Sequence, residues 1–370
     1  MLMTKVTFET DLLASALREV RGAVQRRNTI PILSNVLIAA NPDGSVVLTA
    51  TDMDVLVSRT ISAKVERDVS FTLDANRLTD VVGAFANGSQ TTIELSGSAA
   101  IVTSGRARTR FSTLPASDFP VVLQRQVDTR FTIAAKALTR GIGMVRHAVS
   151  TEEARYYLNG VFWHERDGKL VYVATDGHRL ARYVDELPAG AAGMNDTILR
   201  TRCIDLARAA AEARDADIEV AIGDDKVTMV AGDFTLIARV VEGTFPDYTR
   251  VIPTSFNGTL SIDRDELVEA VNRVTIAVND KVRVVKIDVA RDLVRTSVTS
   301  PEHGEAVDEV PCSYDGDCVS IGFNGRYLRD ALGVLDVDVV DVLLGDPASP
   351  AMITSPKASS ATLVLMPMRV

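Results

Sequence analysis

The sequence predicts an α+β fold of three similar domains, each made of two strand–helix–strand-rich repeats, with antiparallel sheets carrying helices on one side. Three observations predict it. The chain has 370 residues, too many for one core at roughly 100–200 residues per domain. It repeats itself: a short alternating strand running into an amphipathic helix starts at Val6, Arg130 and Thr259, roughly 125 to 130 residues apart. Short runs rich in Val, Ile and Thr, punctuated by Gly, Asp and Asn, fill the space between and read as strands.

In chain order, VTFETDLLASALREV from Val6 opens the first domain. SVVLTATD and LVSRTISA follow as strands, FTLDANRLTDVVGAFA from Phe71 is the second strand-and-helix unit, and TIELSG is a further strand. The Pro-containing connector 114–128 precedes RFTIAAKALTRGIGMV from Arg130. Then come the strand KLVYVATD, the second helix ILRTRCIDLARAAAEA from Ile198, and the strands IEVAIG, KVTMVAG and FTLIARVV. A second connector, 242–258, leads to TLSIDRDELVEAVNRV from Thr259, the strands VRVVKIDV and LVRTSVTS, and the last helix in SIGFNGRYLRDALGVL from Ser320. Helices are read where apolar residues recur at three and four, and a Thr or Ser just before each repeat's first helix is the expected start signal. The domains are expected at 1–125, 126–255 and 256–370. Strand edges left open at the two ends of the chain would be satisfied by self-association.

Composition narrows the function. Hydrophobic residues make up 46% and charged residues 24%, ordinary globular values. No apolar run is long enough to span a membrane, and MLMTKVTFETDLL lacks the apolar core of a secretory signal. Cys203, Cys312 and Cys318 form no CxxC pair, so reduced thiols in a cytoplasm are expected, with no metal site and no cofactor. The net charge of −9 argues against tight nucleic-acid binding, which needs clustered Lys and Arg. The helices are less acidic than the chain, with Arg18, Arg21, Arg26 and Arg27 at the first, Lys136, Arg140 and Arg146 at the third, and Arg200, Arg202, Arg208 and Arg214 at the fourth. Two readings stay open: solvated helix faces with Arg complementing the dipole, or faces that converge on a weakly basic channel for a polyanion.

Four motifs remain. ATDGHRLARY (174–183) holds Asp176 and His178, a pair that could do acid–base chemistry. No nucleophile elbow, HExxH or P-loop accompanies it, and ATD recurs at 50–52 without the His, which favours a structural role in a repeat. ARYYLNG (154–160) puts Tyr156 and Tyr157 on opposite faces of a strand, one in the core and one beside Arg155. FPDYTRVIP (245–253) reads as a rigid linker offering Val251. LVLMPMRV at the C-terminus combines Val364, Met366, Pro367 and Met368; a Pro in a final strand suggests an edge or an open surface, Met suits adaptable apolar binding, and a buried terminal strand is the alternative.

Together, TIPILSN (29–35), STLPASDFP (112–120), RYYLNG (155–160), VATDGHRLA (173–181), FPDYTRVIP (245–253), IGFN (321–324) and LMPMR (365–369) resemble the bacterial sliding clamp family, the beta subunit of DNA polymerase III. The resemblance runs from Thr29 to Arg369. It implies the DNA clamp fold closing as a head-to-tail homodimeric ring of twelve helices around double-stranded DNA, a processivity factor without catalysis of its own. It implies a pocket between domains two and three for linear peptides of DNA polymerase III alpha, clamp-loader subunits, other polymerases, mismatch-repair proteins and ligase. By motif, one subsite would be Leu158, Thr175, Gly177, His178, Arg179, Leu180, Pro246, Val251, Val364 and Met366. The neighbouring groove would be Arg155, Tyr157, Asn324, Tyr327, Pro367, Met368 and Arg369. The family pattern points to Arg27, Tyr156 and Tyr157 as DNA-facing, and helix position adds Arg200 and Arg202. The dimer interface would join Arg108, Arg110 and Ser112 to the region of Ile276 and Arg283, with the arginines meeting Glu302 or Glu305. Two departures stand out: Thr151-Glu152-Glu153 is acidic for a DNA-facing loop, and Thr109 stands where some relatives place an aromatic residue. The rival readings are a hydrolase or transferase using Asp176 and His178, and a monomeric peptide-binding scaffold.

Overall fold

The computed structural model describes residues 4–25, 29–120, 127–277, 284–301 and 304–369. In chain order the first stretch runs β1 (Thr4–Glu9), α1 (Thr10–Arg21), β2 (Asn35–Ala40), β3 (Ser45–Thr51), β4 (Val55–Ser62), β5 (Lys64–Val65), β6 (Val69–Asp74), α2 (Ala75–Gly83), β7 (Gln90–Ser96), β8 (Ala99–Ser104) and β9 (Ala107–Ser112). The middle stretch runs β10 (Thr129–Ile133), α3 (Ala135–Val145), β11 (Gly160–Arg166), β12 (Lys169–Thr175), β13 (Arg179–Glu186), β14 (Thr197–Arg200), α4 (Thr201–Arg214), β15 (Ile218–Ile222), β16 (Lys226–Ala231) and β17 (Phe234–Arg239). The last runs β18 (Gly258–Asp263), α5 (Arg264–Ala277), β19 (Val284–Val289), β20 (Leu293–Ser300), β21 (Gly304–Tyr314), β22 (Val319–Asn324), α6 (Gly325–Gly333), β23 (Val339–Leu344), β24 (Ala351–Thr354) and β25 (Ala361–Leu365). Each strand and helix expected from the repeats is present, whereas the strand expected at Tyr156 and Tyr157 is not. The start of VRVVKIDV, at 282–283, lies outside the described residues.

The contacts group into two compact units. The first is Met1–Leu138, Pro188–Asn195 and Arg202–Val240; the second is Thr139–Leu187, Asp196–Thr201 and Val241–Val370. The first unit holds a five-stranded sheet, β5-β1-β7-β8-β9, and an eight-stranded sheet, β10-β15-β16-β17-β4-β3-β2-β6. In the latter, β17 pairs antiparallel with β4, Leu236 opposite Val57, so strands from either side of the expected 125/126 boundary share one ladder. Helix α1 turns Leu13, Ala16, Leu17 and Val20 into the core and packs on β3, β4 and α2. At ~1.5–3 kcal/mol for a fully buried aliphatic side chain, that stripe holds the helix to its sheet. Glu19, Arg59, Arg214 and Asp233 form a half-buried charge network, with Arg59 Nε 3.0 Å and Arg214 Nη2 2.8 Å from Glu19 and both arginines also paired with Asp233.

The second unit holds a twelve-stranded sheet, β14-β11-β12-β13-β25-β24-β23-β18-β21-β20-β19-β22. Here β13 pairs with β25, Leu180 opposite Val364, and joins strands more than one expected domain apart in sequence. The C-terminal strand is therefore interior to the sheet. This corrects the expectation of an edge strand broken by proline, since Pro367 lies beyond the strand's last residue, Leu365. On β11 the side chains alternate: Trp163 is fully buried against Tyr172, and Phe162 and His164 share the other face.

The helix starts also differ from expectation. Thr10 is the first helical residue of α1, and Glu9 precedes it without a side-chain cap. The Thr10 hydroxyl instead meets those of Ser89 and Thr91. Acids and an amide do the capping elsewhere: Asp74 accepts from Arg77 N, Asp263 from Glu266 N, and Asn324 from Arg326 N and Tyr327 N. Their short acceptors reach the orphan amides of the first turn.

Candidate functional site

The two ATD segments build the same turn. After β3, Thr51 Oγ1 donates to Val55 O and accepts from Met53 N, while Asp52 Oδ1 accepts from Asp54 N and Val55 N. After β12, Thr175 Oγ1 donates to Arg179 O and accepts from Gly177 N, while Asp176 Oδ1 accepts from His178 N and Arg179 N. Both third residues take positive φ, +80° at Met53 and +87° at Gly177. A side chain at 177 would also strike Arg155, whose Nη1 lies 2.5 Å from the position a Cβ would occupy.

The second carboxylate oxygen of each turn's aspartate holds an arginine. Asp176 Oδ2 accepts from Arg179 Nε at 3.0 Å, and Arg179 Nη1 donates to Asp330 of α6 at 2.7 Å. The Arg179 guanidinium also lies 4.0 Å over the Tyr327 ring. Buried and held on three sides, it ties the turn to α6 and lines the polar cavity beside it. Asp176 takes backbone amides and a guanidinium, so it orients no imidazole. In the first turn Asp52 pairs with Arg202 Nη1 at 2.5 Å, and Arg202 also donates to the carbonyl of Gly22 at 2.9 and 2.6 Å. Arg202, expected to face DNA, is thus tied to Asp52 and Gly22 inside the fold while about a third of its side chain stays exposed.

Beside the second turn lies the apolar part of the site. Leu158, Leu180 and Val364 are buried in one cluster with Val171, Phe245 and Tyr248, and Tyr157 packs against it. In the same unit several apolar side chains stay exposed: Val251 at 45%, Met366 at 41% and Met368 at 36%. Met366 is placed by its backbone, whose N–H donates to His178 O at 2.9 Å. Met368 N donates to Gly322 O at 2.8 Å, which lays Pro367, Met368 and Arg369 along β22 beside a cleft of about 440 Å³. Pro246 is exposed on the connector and His178 on the turn. Asn324 is committed as the cap of α6.

Arg155, Tyr156 and Tyr157 lie in a 3-10 turn, Glu153–Leu158, not on a strand. The rings stand edge to face at 5.9 Å, with Tyr156 more than half exposed and Tyr157 drawn onto the apolar cluster. The acidic departure has a local use: Glu152 pairs with Arg155 Nη2 at 2.8 Å. That guanidinium holds the Glu152 carboxyl below its ordinary range. Arg155 Nη2 also donates to Asp176 O. Arg200 ends β14 opposite Gly160, half-buried. Arg27 and Arg283 lie outside the described residues.

Sequence reasoning missed a polar cavity of about 430 Å³ next to the turn, lined by Arg146, His147, Ser150, Asp176, Tyr327 and Asp330 among others. Burial, then the charge of Arg179, pushes His147 down to about 4 against the pull of Asp330 and Asp176. Asp330 left no signal because its partner is 151 residues away. Tyr248 and Phe245 were legible only as a linker.

In the first unit β9 is an edge strand, with Arg108, Arg110 and Ser112 exposed along it. In the second unit β21 pairs β20 over Gly304–Pro311 and β18 only at Cys312–Tyr314, so its first eight residues keep one edge open. Glu305 is exposed there, Val307 is 48% exposed and Ile276 on α5 is 78% exposed. Glu302 lies outside the described residues.

The chain matches three family models in order: the DNA polymerase III beta subunit N-terminal domain over 4–123, the central domain over 132–247 and the C-terminal domain over 249–369. It is 37% identical to the beta sliding clamp of Caulobacter vibrioides over 372 aligned residues, 99% of this chain and 100% of that one. With the beta sliding clamp of Escherichia coli K12 it shares 33% over 368, again 99% and 100%. The solved sliding clamp of Bartonella birtlesii, bound to griselimycin, superposes with a TM-score of 0.96 at 36% identity, covering 100% of both chains. A Caulobacter crescentus clamp carrying bound polyethylene glycol gives 0.96 at 37%, covering 100% of this chain and 99% of that one. With every domain model matched in sequence and the whole length shared with its relatives, the chain belongs to the bacterial sliding clamps, the DNA polymerase III beta subunit family.

Proposed function

We propose that this clamp is the processivity factor of replication. Two copies close head to tail around duplex DNA in the cytoplasm, slide without sequence preference and tether polymerases, clamp-loader subunits and repair proteins by short peptides. It performs no catalysis of its own. Domains at 1–125, 126–255 and 256–370 carry the repeats. What supports this reading is a buried apolar cluster of Leu158, Leu180 and Val364 in the second unit, with Val251, Met366 and Met368 left exposed on the segments that carry Tyr248 and Val364 of that cluster; we read these as the floor and rim of the peptide groove. Such a site takes apolar anchors and offers few polar fixings. The enzyme reading is disfavoured by Asp176, whose carboxylate is spent on backbone amides and Arg179.

Ring closure has its support in the two open edges. Arg108 and Arg110 on β9 complement Glu305 on β21, and antiparallel pairing of the edges would satisfy both rows of backbone groups. Once the ring is linked to DNA topologically, a net charge of −9 is no obstacle, because retention needs few phosphate contacts.

The test is a fluorescence-anisotropy titration of a labelled peptide with leucine and phenylalanine at its end, with the mass in solution measured in the same buffer. Saturable binding to a dimer, weakened about tenfold or more in Met366→Ala, supports groove and ring together. A well-folded dimer that ignores the peptide would move the partner site elsewhere. A monomer that binds it would favour the scaffold reading.

A further inference from the structure

The connector that brings Pro246 and Val251 to the groove is fastened to β11 by a stack of four rings. Phe245 lies parallel to Phe162 at 4.7 Å, with 6° between the planes. His164, two residues along the same face of the strand, stacks on Phe162 at 4.5 Å and 21°. Tyr248 meets His164 at 5.7 Å between centroids. A polar closure completes the set: His164 Nε2 is 3.1 Å from the Tyr248 hydroxyl, and Nδ1 is 3.2 Å from the Glu165 carbonyl. A carbonyl can only accept, so Nδ1 carries the hydrogen in the neutral ring. Nε2 is then the acceptor, and the Tyr248 hydroxyl donates to it.

We propose that His164 is a positioning residue for the peptide groove: as the buried acceptor for Tyr248 it seats the connector 245–251 and so sets where Pro246 and Val251 stand. The proposal rests on the reading of that groove as the peptide site. His164 is buried, and Phe245 and Tyr248 belong to the same cluster as Leu158, Leu180 and Val364. A shift of the connector therefore moves rim and floor together. Val251 closes the 3-10 turn that Tyr248 opens, which makes the coupling short.

Burial favours the neutral ring, the form that accepts from Tyr248. Burial holds the His164 imidazole below its ordinary value of 6.5, and Arg166 on its own strand and Arg182 on β13 act in the same direction, against Asp196 and the Glu165 carbonyl. A seated connector thus disfavours the proton, and a released one accepts it at the ordinary value. As pH falls below about 6.5 the released form gains, until the seated ring itself titrates.

The test uses the full-length protein and two readouts, anisotropy with the labelled peptide and hydrogen–deuterium exchange of the peptides covering 245–251. His164→Phe keeps a ring but strands the Tyr248 hydroxyl. It should weaken the peptide about tenfold and speed exchange in the connector. His164→Phe with Tyr248→Phe removes the stranded group and should return affinity to within about threefold of wild type. His164→Gln, which can accept and donate in the same places, should bind nearly as wild type. In a His178→Gln background, which removes the exposed imidazole of the turn, affinity should still fall below about pH 6.5 while His164 is present. Adding His164→Gln to that background should shrink the fall just below pH 6.5 and leave the part that His147 contributes toward pH 4. Should His164→Phe fail to fold, Tyr248→Phe and His164→Gln carry the same comparison. Unchanged exchange and affinity in the variants would overturn the proposal. Faster connector exchange with unchanged peptide affinity would overturn the positioning role while leaving the ring stack intact. A wild-type protein that binds no peptide, but whose connector still responds to His164→Phe, would overturn the groove reading and the proposal with it.

Discussion

Gly177 shows how much one backbone angle carries. Its φ of +87° and the Arg155 guanidinium beside it leave no space for a side chain. Gly177→Ala should cost about 1–2 kcal/mol of stability from the left-handed conformation alone, and more if Arg155 cannot withdraw. Peptide affinity should fall in parallel, since Met366 hangs from the next residue's carbonyl; thermal unfolding and anisotropy on the same samples check both. His147 supplies a pH test. Its folded value of about 4 lies below the ordinary 6.5, so its contribution is complete above about 6.5 and is lost as pH falls toward 4. The thermal midpoint of wild type should drop across that window more steeply than that of His147→Gln. The Asp176 turn was legible in the sequence because ATD occurs twice. The links from Arg179 to Asp330 and from His164 to Tyr248 were not, because partners 151 and 84 residues apart share no local pattern.

Elements were more legible than their neighbours. Apolar spacing located the six helices because burial on one face imposes a period near 3.6. Alternation located many of the strands but not β2, β8, β11, β13, β21, β23 or β24, and a period of two says nothing about which strand pairs with which. That β25 would lie between β13 and β24 was hidden for this reason, and the C-terminal proline misled. The interior position makes a sharp prediction. Removing the residues after Leu365 keeps the whole of β25 and its paired residues while deleting Met366, Pro367 and Met368 and the bond from Met366 N to His178 O. The truncated protein should remain folded and self-associated by sedimentation, and lose peptide binding. The cap of α6 gives a second test: Asn324→Ala should cost about 1 kcal/mol in chemical denaturation, because two amides lose their acceptor.

At the scale of the whole molecule, open edges and charge govern assembly. With Thr109 in place of a large apolar side chain, the β9 edge presents mainly arginines. Association through it should weaken as salt is raised, since exposed pairs are screened over about 10 Å at 0.1 M. Arg108→Glu should raise the dissociation constant, and Glu305→Arg added to it should recover part of the loss; mass photometry at several salt concentrations reads both. Repeat length was visible in the sequence, but the open edges expected at the two chain ends lie on β9 and β21 instead, with β1 and β25 inside their sheets, and the merging of strands across domain boundaries was hidden because it is settled by tertiary pairing. The single tryptophan has a practical consequence. Trp163 is wholly enclosed and edge-on to Tyr172, within the second unit alone. Its emission therefore reports the melting of one half of the chain and is blind to the other, whereas far-ultraviolet circular dichroism sees both. Denaturation curves from the two signals should coincide if the halves lose structure together, and separate if one gives way first.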